Sequence, residues 1–258
     1  SPVYDQPLSL SASVSPAIPG SFIPTGQVQF VIDAAPFGFP LDLNNGSATT
    51  LPALDLGAGE HTFSAFYSGD ANFSPSEAPA LKQVVSKADT RLSLESSLNP
   101  APYGVPVMVT AALTAVEPSL AIPDSGWVKF VVDGVPLDEL VALTADGKAS
   151  LQIPYSVLGA GVHEVTAFYG GQANFNPSSN QSAPLLQNVD KGDLLVTLGA
   201  TLEHPVFGQA VGFTTQLMGA SLDYPRPTGT VQFLVDRLAL GDPVSLDAGG
   251  AALSETTA

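Results

Sequence analysis

The residues Gly57-Ala58-Gly59-Glu60-His61-Thr62-Phe63-Ser64-Ala65-Phe66-Tyr67-Ser68-Gly69-Asp70-Ala71-Asn72-Phe73 return, nearly unchanged, as Gly159-Ala160-Gly161-Val162-His163-Glu164-Val165-Thr166-Ala167-Phe168-Tyr169-Gly170-Gly171-Gln172-Ala173-Asn174-Phe175. So particular a string written twice is an internal repeat, and a long-period repeat means that a unit is stacked along the chain. The turn before each unit recurs three times, as Val3-Tyr4-Asp5-Gln6-Pro7, Pro102-Tyr103-Gly104-Val105-Pro106 and Val206-Phe207-Gly208-Gln209. From Tyr4 to Tyr103 is 103 − 4 = 99 residues and from Tyr103 to Phe207 is 207 − 103 = 104, the size of one β-sandwich domain.

Alternate positions are apolar after each turn: Leu8, Leu10, Ala12 and Val14, then Val107, Val109, Ala111 and Leu113, then Val211, Phe213, Thr215 and Leu217. Period-two alternation predicts a strand with one face on a core and one in water. A second strand recurs as Gly26–Asp33, Gly126–Asp133 and Gly229–Asp236, with Gln29, Lys129 and Gln232 on its outward face. Asn45-Gly46, Asp146-Gly147 and Gly249-Gly250 are turn signals that lead into short strands near Ala48, Ala149 and Ala251. The quoted stretch is itself a strand, with His61, Phe63, Ala65 and Tyr67 on one face, and a strand near Leu81–Val85 or Leu185–Val189 closes each unit. Helix formers are scarce while Gly, Pro, Ser, Thr and Val abound, so the chain reads as all-β.

Three units follow from this alignment. Residues 1–87 form a first repeat without a leading strand, 88–190 a complete second repeat, and 191–258 a third without final strands. The missing pieces are not complementary, and the chain reads as an excerpt from a longer array. In the third unit Val211, Phe213 and Phe233 are expected to lack cover. The joints Ser86–Thr90 and Asp190–Asp193 are too short and too poor in Gly and Ser for a flexible tether, so a semi-rigid junction is expected.

Acidic side chains outnumber basic ones by 24 to 8, and they are spread evenly: 9 against 3 through Pro100, 10 against 3 through His204, and 5 against 2 beyond. An evenly acidic surface keeps repeats mutually repelling and argues against nucleic acid or anionic membrane as partners. There is no cysteine, hence no disulfide and no thiolate metal site, and no run is long and apolar enough for membrane insertion.

The turn, the Pro24-Thr25-Gly26-x-Val28-x-Phe30 segment, the Gly-x-His strand entry and the Tyr67-x-Gly69-Asp70-x-Asn72-Phe73 ending together resemble the bacterial immunoglobulin-like repeats found in tandem in exported and surface proteins. The likeness covers nearly the whole chain. It implies tandem immunoglobulin-like β-sandwiches placed outside the cell, at the bacterial surface or secreted. It also implies a stalk or spacer role, within an adhesin in some cases. The partners expected are neighbouring repeats of the same polypeptide, with a surface glycan or a protein as the further ligand to consider.

Candidate sites have a structural reading beside a functional one. His61 and His163 stand two residues past a Gly, where immunoglobulin domains place a tyrosine whose side chain bonds back to nearby backbone, so they are read as corner residues, with Tyr67 and Tyr169 as structural neighbours. One His per unit gives neither a metal cluster nor a base with partners. Asp70 and Asn72, like Gln172 and Asn174, offer oxygen ligands to calcium at a domain end, or else fold the turn through their own backbone. Gln172 in place of Asp70 removes a charge that calcium would use. Asp89, Asp190 and Asp193 in the joints carry the same two readings, and no other cofactor is expected. Trp127, the only tryptophan, takes the outward register of Gln27 and Thr230; it can stack on a sugar or partner surface, or pack under a loop. No Ser has a recurrent base beside it, no carboxylate pair is written in a cleft, and no phosphate loop precedes a helix. The sequence therefore reads as no enzyme. A stalk, an adhesive module and a spacer in a secreted polysaccharide-degrading enzyme are the functions left to separate.

Overall fold

A computed structural model describes residues 1–18, 22–52, 56–219 and 226–254. The last four residues of the third unit lie outside the described residues, as do 220–225 within it. Every element described is a strand, and among the described residues no helix is long and apolar enough to cross a membrane.

The first repeat contains β1 (Ser11–Ser13), β2 (Gln27–Ile32), β3 (Ala35–Asp42), β4 (Ser47–Thr49), β5 (Gly59–Tyr67), β6 (Ser76–Glu77) and β7 (Leu81–Val85). The second contains β8 (Thr90–Ser96), β9 (Ala101–Pro102), β10 (Val107–Ala115), β11 (Trp127–Val132), β12 (Val135–Ala142), β13 (Lys148–Ile153), β14 (Gly161–Tyr169), β15 (Ser178–Ser179) and β16 (Leu185–Asp190). In the third lie β17 (Leu194–Ala200), β18 (Phe213–Gly219), β19 (Thr230–Val231), β20 (Leu234–Val235), β21 (Leu238–Ala239), β22 (Val244–Ser245) and β23 (Ala251–Leu253).

The second repeat is a closed sandwich. One sheet runs β13-β10-β8 and the other β12-β11-β14-β16-β9, antiparallel except for the parallel β16–β9 pair. Alternation decides what each strand buries. Val107, Val109, Ala111 and Leu113 of β10 face Val128, Phe130 and Val132 of β11 and Val165, Ala167 and Tyr169 of β14, and all are essentially inaccessible. The first repeat uses the same plan with fewer strands, β1-β4 against β3-β2-β5-β7, and buries Val28, Phe30, Ile32, Phe63 and Tyr67.

Backbone turns are set by the residues that tolerate positive φ. Asp33-Ala34, Asp133-Gly134 and Asp236-Arg237 each place two successive residues there, the geometry of a tight hairpin turn. Gly126 is required for a second reason: at φ +105° a Cβ would lie 2.8 Å from the ring of Tyr169, so no side chain fits between the turn and the tyrosine.

The third repeat departs from expectation in two ways. The segment expected as one strand over Gly229–Asp236 is broken into β19 and β20, and among the described residues the neighbour that β5 and β14 supply to the same strand elsewhere has no counterpart. Phe233, expected without cover, is only 5% exposed at that break. Val211 and Phe213 are half-buried, and uncovered apolar surface lies instead on β17, where Val196 and Leu198 are 64% and 72% exposed, and at Val206, Phe207, Leu234 and Leu238.

Candidate functional site

The most elaborate cluster of contacts in the chain is the junction of the first two repeats, and it is built from the tail of the quoted stretch. Tyr4 is brought there by two backbone bonds: its N–H donates to the Ser86 carbonyl at 2.8 Å, and the Ser86 N–H donates to the Pro2 carbonyl at 2.8 Å. The Tyr4 and Phe175 rings then meet in a T-shaped contact with centroids 5.4 Å apart and planes at 88°. Tyr4 thus packs against the core of the second repeat rather than its own. Edge-to-face placement sets the positive ring edge on the negative ring face.

The linker is held on both sides. Ala88, wholly inaccessible, donates its N–H to the Asn174 carbonyl at 2.9 Å and accepts from the Asn176 N–H at 2.8 Å. The Asn174 side chain reaches the other way, its Oδ1 accepting from the Ala58 N–H of the first repeat at 2.9 Å. Lys87 donates from Nζ to the Gln172 carbonyl at 2.8 Å, and Asp89 accepts from the Asn176 amide at 2.8 Å. Leu120 of the second repeat donates its N–H to the Asp5 carbonyl at 3.3 Å. A Gly-Ala loop on one repeat and an Asn-Phe loop on the next therefore form a socket and a plug around a buried alanine.

The first and second repeats each also carry a His–Asp pair. His61 Nδ1 lies 2.7 Å from Asp33 Oδ2 and its Nε2 lies 2.8 Å from the Gly57 carbonyl; His163 makes the same bonds to Asp133 and Gly159 at the same distances. Both ring nitrogens face acceptors, which the doubly protonated ring satisfies and the neutral ring cannot. The bond from Asp33, then the Gly57 carbonyl, raises the His61 pKa. For His163, burial opposes the charge, but the bonds from Asp133 and Gly159 outweigh it and the pKa is again raised. Asp33 is lowered by the Thr62 N–H and then by His61, and Asp133 chiefly by His163. The pair pins the start of β5 or β14 to the turn after β2 or β11.

Tyr67 and Tyr169 point their hydroxyls at backbone, donating to the Thr25 carbonyl at 2.6 Å and the Ser125 carbonyl at 3.1 Å. Asp70 accepts four bonds: Oδ2 from the N–H and hydroxyl of Thr25, both at 2.8 Å, and Oδ1 from the N–H groups of Asn72 and Phe73 at 2.7 and 2.9 Å. Those bonds, the Thr25 N–H foremost, hold its carboxyl well below the usual carboxylate range. The joint acids do not converge. Asp89 lies at the first joint, Asp190 ends β16 and Asp193 follows it at the second, and among the described residues no group of three or more His, Cys, Asp or Glu side chains is placed to hold a metal ion.

The profile of the bacterial Ig-like domain (group 3) matches residues 1–86 and 94–189. The chain belongs to that family. No curated protein sequence matches it. Among solved structures it is similar to the fibronectin(III)-like modules of Clostridium thermocellum CbhA, at 16% identity and a TM-score of 0.28, over 74% of this chain and 88% of that one. It is also similar to a tetra-tandem repeat from the extending region of a large adhesion protein, at 16% identity and a TM-score of 0.41; the match spans 97% of this chain and 62% of that one.

In this Ig-like array Trp127 is 56% exposed on the outer face of β11. Phe168 on the adjacent strand is 52% exposed and lies opposite Lys129, next to the Trp127 register, so two aromatics share one outward face. Three kinds of contact escaped the sequence reading. Asp33 and Asp133 hold the histidines, Tyr4 crosses the joint, and Asn174 bonds across it rather than only within its turn. The signal available for the first was an Asp closing the same strand in all three copies. For the last it was an Asn-Phe dipeptide retained beside a variable Asp or Gln.

Proposed function

We propose that the chain is a non-catalytic spacer of an exported bacterial protein, carrying another domain away from the cell in an extracellular setting. The observation that carries this reading is the first joint: the core of one Ig-like repeat extends into the next through Tyr4 and Phe175, while Asn174 and Ala88 tie the linker on both sides. A spacer keeps its reach only if its joints resist bending, and a packed, hydrogen-bonded joint does so where a Gly/Ser tether of equal length coils. The evenly distributed negative charge keeps neighbouring rods apart. Surface display tests the reading. An antibody epitope placed beyond the segment is expected to be more accessible than one carried on a Gly/Ser linker of the same residue number; equal access removes the spacer role.

A second reading is an adhesive module, favoured by the Trp127 and Phe168 face. Exposed aromatics of this kind stack on sugar rings or fill a partner's pocket. The first repeat has Gln27 in place of Trp127, so a binding face there is not repeated. A glycan screen of the chain and of Trp127→Ala decides between the two: strong binding abolished by the substitution replaces the spacer reading with the adhesive one.

A further inference from the structure

One peptide group connects the histidine clamp of the first repeat to the second repeat. The Gly57–Ala58 peptide has its carbonyl oxygen 2.8 Å from His61 Nε2, while its N–H donates across the joint to Asn174 Oδ1 at 2.9 Å. The two ends of a planar amide cannot turn independently, so whatever holds the carbonyl also aims the N–H. Bonds at the two ends reinforce each other as well, because a donor on the carbonyl polarises the amide and strengthens its N–H. The approach is close: a Cβ placed on Gly57 would lie 3.5 Å from Asn174 Oδ1. The second repeat carries the same clamp without the connection. His163 Nε2 meets the Gly159 carbonyl at 2.8 Å, but Ala160 is exposed and its N–H has no hydrogen-bond partner among the described residues. Nothing lies within 4 Å of a Cβ placed on Gly159.

The charges near His61 leave Asp33 in control of it. Its side chain is 15% exposed, and Asp33, at the turn after β2, is the charged group bonded to it. Beside it on β5, Glu60 is taken by Lys82 of β7 at 2.7 Å, and Gln83, which faces His61 from β7, is uncharged. At the joint, Lys87 and Asp89 are bonded to Gln172 and Asn176 of the second repeat, and Asp55 lies outside the described residues. With a carboxylate on Nδ1 that nitrogen keeps its proton, so the proton lost on titration is the one on Nε2. The Gly57 carbonyl then faces a lone pair at 2.8 Å, and the peptide must turn or take water in place of the ring.

We infer that His61 is the positioning residue of the first joint and that its protonation sets the stiffness of that joint. The joint is tight while both ring nitrogens carry protons and loosens when Nε2 gives up its proton, because the Gly57–Ala58 peptide then stops aiming its N–H at Asn174. This deepens the spacer reading and rests on it, since only a locked joint has a stiffness to regulate. The bond from Asp33, then that from Gly57, raises the His61 pKa above its ordinary 6.5. The tight form is therefore complete below that value and is lost as pH rises through the folded pKa. A mildly acidic setting gives the stiffer rod and an alkaline one the looser.

The test reads joint opening by hydrogen exchange of the whole chain, at the Ala88 N–H that donates to the Asn174 carbonyl. The N–H of buried Phe30 in β2 reports unfolding of the first repeat itself and serves as the reference. Between about pH 5 and about pH 8.5, which bracket an ordinary histidine, the ratio of the two protection factors is expected to fall about fivefold, with the midpoint of His61's own titration. His163→Gln is expected to leave that fall in place and His61→Gln to remove it. Reciprocity supplies an arm that does not depend on His61→Gln folding. Asn174→Ala, made on the second repeat, is expected to raise the acid dissociation constant of His61 about fivefold, read from its imidazole resonances, and to leave that of His163 unchanged. A ratio that stays constant over the range, or a His61 constant indifferent to Asn174→Ala, overturns the inference while the joint stands as a lock. An Ala88 N–H without protection at either pH overturns the lock, and the inference falls with it.

Discussion

Replacing Asn174 and Tyr4 together by alanine takes apart the side-chain half of the first joint and leaves its backbone half in place. Asn174→Ala removes the acceptor of the Ala58 N–H, a neutral bond worth about 0.5–1.5 kcal/mol net. Tyr4→Ala removes the edge contact with Phe175, worth about 0.5–1.5 kcal/mol beyond the area it buries. The sum, about 1–3 kcal/mol, lowers the ratio of docked to undocked joints roughly 5- to 150-fold at 1.4 kcal/mol per tenfold. The assay is convenient because the chain has no cysteine, so Phe39→Cys and Glu139→Cys, both at exposed positions, accept spin labels without interference. The double variant is expected to broaden the label-to-label distance distribution while the second repeat unfolds at its usual midpoint. Asn72→Ala serves as the control, since its side chain makes no cross-repeat bond among the described residues. A distribution for the double variant that superimposes on the parent's refutes the idea that these side chains hold the joint.

Other outcomes follow from the same structure. Ala34 occupies φ +64° where the second repeat has Gly134, so Ala34→Gly is expected to stabilise the first repeat by about 0.5–1 kcal/mol in a denaturant titration. Phe130→Ala, at an inaccessible core position, is expected to cost the second repeat about 3–5 kcal/mol, read as a lowered unfolding midpoint in calorimetry. The His–Asp pairs fix a sign for pH. Because His61 and His163 are raised above their ordinary 6.5, their contribution is complete below that value and is lost as pH rises through the folded pKa. Because Asp33 and Asp133 are lowered below 3.8, theirs is present above that value and is lost as pH falls through the folded pKa. Unfolding midpoints should therefore decline on both sides of the mildly acidic range, and Asp133→Asn should flatten the alkaline side for the second repeat alone. Chelation is expected to leave the label distances unchanged, since Lys87 supplies the cation at the joint and Asp70 has its oxygens engaged by four donors.

The fold was legible where a local rule repeats. Alternation in β10 and β11, the Asn-Gly and Asp-Gly turns, and the period near a hundred residues all follow from side-chain order along one strand or turn. What escaped the reading depends on partners far apart in the chain. Asn174 and Ala58 are separated by 116 residues, and nothing in either loop alone announces the bond. Asp33 and His61 are 28 apart, joined only once β2 and β5 have paired. The break between β19 and β20 was hidden for the opposite reason: local pattern there favours a strand, but among the described residues the neighbour that β5 and β14 supply to the same strand elsewhere has no counterpart.

The central claim is that the first and second Ig-like repeats are locked, plug into socket, at their joint. The most direct test is the distance distribution between labels at positions 39 and 139 of the otherwise unaltered chain. A single narrow distance that persists at raised salt is the result this account predicts, since the lock is mainly packing and neutral hydrogen bonds. A broad distribution like that of two domains on a Gly/Ser tether would contradict it.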